Sequence, residues 1–129
     1  MATAFHLSLS VADPDRTERF YVDVLGARVG RQTDRWTDLW LFGAQLTVHH
    51  RPEAVLPAPQ RDAMHFGATL GWDEWRDLAG RLADNGAPFR SEPQLDEAKG
   101  QAKLTLVDPD GHLVEIKAYR DPETLQRPD

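Results

Sequence analysis

Apolar and polar residues alternate where the chain begins. Phe5, Leu7, Leu9 and Val11 take every second place, with His6, Ser8 and Ser10 between them. That period of two predicts a strand with one face toward a core. Asp13-Pro14 then supplies an N-cap and a first helical residue. Phe20, Tyr21, Val24 and Leu25 give that helix an apolar face, and Gly26 stands where a left-handed residue ends it. Strands are predicted at 27–30, 36–42 and 45–50, the last two joined through Gly43-Ala44. Residues 51–63 hold Pro52, Pro57 and Pro59 and read as a linker. The same order then returns. A strand at 64–70 carries His65 in second place, and a helix at 72–85 lines up Trp75, Leu78, Ala79 and Leu82 before Asn85-Gly86. A strand at 87–90, a polar loop at 91–101 with Pro93 and Gly100, and a strand at 102–107 follow. Asp108-Pro109-Asp110-Gly111 has turn chemistry at every position. The last strand is 112–119.

The chain therefore reads βαβββ twice. The expected fold is α+β, a single domain of two βαβββ modules forming an open, cup-shaped mixed sheet flanked by helices. Module one is 4–50, the linker 51–63, module two 64–120 and the tail 121–129. His6 and His65 hold matching strand positions, so the repeat brings them to opposite sides of one concave sheet. In the last strand, Leu113, Glu115, Lys117 and Tyr119 share a face. A carboxylate in so apolar a strand needs a partner, and a metal ion is one. Two imidazoles and one carboxylate make the donor set of non-haem iron sites, which also suits other divalent ions.

Composition narrows the chemistry. A length of 129 residues suits one domain. With no Cys, disulfides, thiolate-bound zinc, iron–sulfur clusters and thiol nucleophiles are excluded. Any metal site must use the five His and the carboxylates. The formal charge is −6, without a basic cluster, which argues against nucleic-acid and anionic-membrane partners. No apolar run approaches the length of a membrane span, and the first residues lack the features of a signal peptide. A cytoplasmic protein is expected.

His6 opening the first strand, Phe20-Tyr21 before Leu25-Gly26, His65 opening the fifth strand, and Asp108-Pro109-Asp110-Gly111-His112 before Glu115 carry a resemblance. Over residues 4–120 the chain resembles the vicinal oxygen chelate superfamily of glyoxalases, bleomycin-resistance proteins, extradiol dioxygenases and fosfomycin-resistance thiol transferases. The resemblance implies paired modules around one divalent metal held by His6, His65 and Glu115, a small-molecule substrate and a homodimer. Glyoxalase-type isomerases carry a second acidic ligand on the fourth strand. The internal repeat aligns Glu115 with Thr47, which is no carboxylate; Gln45 and His49 share its face, and His50 faces away. That departure points away from a standard glyoxalase to a three-ligand site, which the resemblance gives to dioxygenases and thiol transferases alike; the dioxygenase is ranked first, with Fe2+ or Mn2+ favoured over Zn2+ or Ni2+. His49 is then the expected acid–base, since imidazole suits that work, and Tyr119 is expected to assist. Ser8, Thr47, Thr105 and Lys117 are expected to hold substrate. The alternatives are a glyoxalase-type lyase or isomerase, a fosfomycin-type thiol transferase drawing charge from Arg90, Lys99 and Lys103, or a metal-free antibiotic-binding protein. His50 and His112 are expected in solvent. Trp36, Trp40, Trp72 and Trp75 are expected to pack a core or a subunit interface.

Overall fold

Each half of the chain folds by pairing its first strand with its last. The computed structural model describes residues 2–61 and 64–128. β1 (His6–Val11), α1 (Pro14–Leu25), β2 (Arg28–Gln32), β3 (Trp36–Leu41) and β4 (Ala44–His50) make the first βαβββ. After α2 (Ala58–Arg61), β5 (His65–Leu70), α3 (Trp72–Asp84), β6 (Phe89–Asp96), β7 (Gln101–Val107) and β8 (Leu113–Tyr119) make the second. The sheets have the orders β1-β4-β3-β2 and β5-β8-β7-β6. In each, the outer first strand runs parallel to the last and the remaining pairs are antiparallel. A parallel neighbour requires a long crossover, which α1 and α3 provide. The chain divides into two compact units, Met1–Ala63 with Asp108–His112, and Met64–Val107 with Leu113–Asp129.

Local chemistry accounts for the helices. Asp13 accepts from the amides of Asp15 and Arg16, Pro14 fills the first turn, and Gly26 ends α1 at φ 75°. In α3 the buried residues are Trp75, Leu78, Ala79 and Leu82, the stripe that the sequence predicts. Trp75 Nε1 donates to the carbonyl of Ile116 at 2.8 Å, tying that helix to β8. Val11, Leu39 and Val48 form the centre of the first core; Leu104, Leu106, Val114 and Ile116 form that of the second. Among the described residues, no helix is long and apolar enough to cross a membrane.

Four expectations need correction. The stretch read as a linker contains a 3-10 turn at Pro52–Ala54 and the short α2. The polar loop at 91–101 is mostly strand, because β6 runs on to Asp96. Pro93 is tolerated there because β6 is an edge strand, and the pairing with β7 slips around Ser91 and Gln94. Of the two places expected for Trp40 only the core is corrected, since its side chain is 42% exposed, which a subunit interface still accommodates. His112 is not solvated: its Nδ1 donates to Asp108 Oδ2 at 2.8 Å. Asp108 is buried, and the same oxygen accepts the Tyr21 hydroxyl at 2.8 Å. Its other oxygen accepts the amides of Asp110 and His112. A buried carboxylate needs this full set of donors, and that need joins the 108–112 turn to the first unit.

Candidate functional site

The first unit presents a polar sheet face. Register places His6 beside Gln45, Ser8 beside Thr47, and Ser10 beside His49. Across β3, Thr47 meets Asp38 and His49 meets Trp36. His6, Ser8, Thr47 and His49 thus share one face, and His50 lies on the other with Val11. His6 Nδ1 donates to the Gln45 carbonyl at 3.2 Å. A carbonyl only accepts, so the proton is on Nδ1 and the lone pair is on Nε2. His49 Nε2 lies 3.3 Å from Ser8 Oγ. His49 and His50 also line a pocket of about 520 Å³ with Arg35, Trp36 and Arg51.

The second unit presents the matching face of its own sheet. Gly67 and Thr105 flank Glu115, and Thr69 and Lys103 flank Lys117. His65, two places before Gly67, shares this face, and its Nε2 lies 3.0 Å from Glu115 Oε2. His65 is 54% exposed and Glu115 22%. Lys103 Nζ approaches the other Glu115 oxygen at 3.9 Å. Lys117 Nζ sits over the Tyr119 ring, 5.9 Å from its centre. Gly67 lets β5 lie close to β8, since a Cβ there would overlap the Glu115 carbonyl oxygen. Within either unit by itself, no group of three His, Asp or Glu among the described residues gathers to hold a metal.

Sequence reasoning missed Asp38. It is 2% exposed, on the His6 face. Thr47 Oγ1 donates to it at 2.7 Å, Arg31 Nε at 3.0 Å and Gln45 Nε2 at 3.2 Å. Burial pushes its acidity toward weaker; the three donors and the Arg31 charge outweigh that and hold its pKa below the ordinary aspartate value. The signal was available. A two-residue turn at Phe42-Gly43 pairs Leu41 with Ala44, and counting back along both strands pairs Asp38 with Thr47.

Two βαβββ units, each first strand parallel to its last and each carrying a histidine at its start, define a glyoxalase-type fold. The sequence profile described as Glyoxalase/Bleomycin resistance protein/Dioxygenase superfamily matches residues 3–116, and the chain belongs to that superfamily. It is 31% identical over 128 residues to a catechol-2,3-dioxygenase of Bacillus subtilis, covering 95% of this chain and 43% of that protein. The chain thus spans less than half the length of that relative. It is 23% identical over 111 residues to the metallothiol transferase FosB of Staphylococcus saprophyticus, covering 86% of this chain and 73% of that protein. Among solved structures, a glyoxalase/bleomycin resistance protein/dioxygenase of Alicyclobacillus acidocaldarius matches with TM-score 0.77 and 26% identity, covering 95% of this chain and 96% of that one. The fold alone is shared with the fosfomycin resistance protein FosX of Listeria monocytogenes, with TM-score 0.72, 16% identity, and 92% and 93% of the two chains covered.

Proposed function

We propose that this protein is a divalent-metal-dependent oxygenase acting on a small molecule with adjacent oxygens, with His6, His65 and Glu115 as metal ligands. The observation that carries this reading is the 31% identity with a catechol dioxygenase along 95% of the chain. The donor set fits such an ion. The Nδ1–H of His6 is donated to a backbone carbonyl, the outer contact that orients a ligating imidazole. His65 Nε2 and Glu115 Oε2 already converge. Two nitrogens and a carboxylate suit Fe2+ or Mn2+, with Zn2+ and Ni2+ also accepted. When bound, the ion supplies Lewis-acid and template chemistry to the substrate oxygens.

The chain's own residues have separate tasks in this reading. His49, its Nε2 engaged by Ser8, takes or gives a proton at Nδ1. Lys117 and Tyr119 hold substrate oxygens from the second unit's face, and Thr105, beside Glu115, contributes a hydroxyl. Thr47 gives its hydroxyl proton to Asp38 and so offers substrate only lone pairs. A cytoplasmic homodimer belongs to the same reading, and equilibrium sedimentation of the purified chain checks the assembly.

Elemental analysis of protein offered Fe2+, Mn2+, Zn2+ and Ni2+ and then desalted tests the claim, with O₂ uptake on catechol beside it. Stoichiometric iron or manganese, catechol-dependent O₂ uptake and loss of both in His65→Ala are expected. Retention of no ion overturns the metal reading; zinc or nickel without O₂ uptake overturns the oxygenase. The second reading is a thiol transferase, favoured by the greater share of FosB that the chain spans. A metal-loaded protein that consumes a thiol in the presence of fosfomycin would replace the first reading with this one.

A further inference from the structure

The sequence contains twelve arginines but only three lysines, Lys99, Lys103 and Lys117. All three line one pocket of about 330 Å³ in the second unit, together with Tyr119 and two carboxylates, Glu115 and Asp96, the latter accepting the backbone amide of Lys99. Lys99 comes from the turn between β6 and β7, Lys103 from β7 and Lys117 from β8. Lys103 and Lys117 are direct cross-strand partners on one sheet face. Like charges so placed destabilise a sheet. Glu115 offsets only Lys103, and at 3.9 Å. Lys117 rests over the Tyr119 ring and meets no carboxylate among the described residues. In a chain of net charge −6, an anion is repelled everywhere except where cations concentrate.

We infer that this pocket seats the carboxylate of an anionic, carboxyl-bearing substrate, held by Lys99, Lys103 and Lys117 beside Glu115. The inference rests on the proposed function in one respect: it takes Glu115 to mark the reacting end of that substrate. A carboxylate supplies the counter-charge that Lys117 lacks. The lining holds no Arg fork and no helix N-terminus, the devices that commonly seat tetrahedral dianions. A planar monoanion is therefore the better match than a phosphate or phosphonate. The Tyr119 ring, already under the Lys117 ammonium, offers a flat apolar wall to the body of the same molecule.

The test uses metal-stripped full-length protein, so that it does not depend on the metal. Benzoate, benzamide and phenylphosphonate are titrated by calorimetry at two salt concentrations. Benzoate is expected to bind about tenfold tighter than its neutral isostere, the worth of one charge-assisted contact, and to weaken as salt rises. In a Lys103→Met/Lys117→Met double variant that preference is expected to vanish. Lys117→Arg, which keeps the charge, is expected to keep it, and so is His65→Ala, which leaves the lining of the pocket unchanged. Equal binding of benzoate and benzamide overturns the inference, as does a preference that survives the double variant. Tighter binding of phenylphosphonate than of benzoate overturns the carboxylate assignment. Metal retention, measured on separate preparations loaded with the ion and desalted, reports on the proposed function alone, so the two failures remain distinct.

Discussion

Thr47 stands where the internal repeat expects a partner for Glu115, and its hydroxyl proton goes to a carboxylate instead. Asp38 organises this part of the face, since Thr47, Gln45 and Arg31 all point donors at it. Replacing Asp38 by Asn turns an acceptor into a donor against those groups and is expected to cost about 1–3 kcal/mol, measured by urea unfolding. The native pKa of Asp38 is depressed. Its stabilisation is therefore complete above the ordinary aspartate pKa of about 3.9 and is lost as pH falls through the lower native value. The stability gap between wild type and Asp38→Asn should shrink on acidification over that range; a gap constant with pH contradicts the depressed pKa. Tyr21 is the opposite case. Burial, then the charge of Asp108 and its hydrogen bond, push its pKa well up. Tyr21→Phe should cost about 1–2 kcal/mol at neutral pH through the lost bond to Asp108. It should also flatten the decline in stability above about pH 10, where the unfolded tyrosine ionises and the native one does not.

At the scale of elements, two positions are governed by backbone geometry. Gly67 lies against the Glu115 carbonyl. Gly67→Ala forces β5 and β8 apart and is expected to cost about 2–3 kcal/mol in chemical denaturation, with reduced metal retention because Glu115 moves. Phe42 has φ 53° and Gly43 φ 75°, so both turn residues of the β3–β4 hairpin are left-handed. Asparagine adopts that conformation more readily than phenylalanine, and Phe42 is part exposed. Phe42→Asn should therefore raise stability by about 1 kcal/mol, read as a higher urea midpoint. The elements that the sequence made plain are those with one clean period. β1 alternates, α3 has its stripe, and both helices carry their end signals. Only the continuation of β6 past residue 90 escapes the sequence pattern, because an edge strand needs no apolar face and accepts Pro93. Asp38 was passed over because its strand reads as aromatic and apolar, and the need for buried donors appears only once the hairpin register is written out.

At the scale of the whole molecule, metal binding and folding are linked. An ion that binds only the native chain adds about 2.7 kcal/mol at a hundred times its dissociation constant. The melting temperature of loaded protein should therefore fall when a chelator is added, and His65→Ala should show no such fall. The order of elements within each module was legible, because both repeat one local pattern, whereas the short helix between them was not. The attachment of the 108–112 turn to the first unit was not, because Asp108 gathers its donors from residues far apart in sequence, Tyr21 and His112. The lysines lead elsewhere. With every lysine side chain lining one pocket, amine-directed reagents become regiospecific on this protein. Reductive methylation with a carbon-13 label would place its side-chain reporters in that pocket, with only an α-amino signal besides. Coupling the protein to a surface through its lysine amines would, by the same arithmetic, block that cavity.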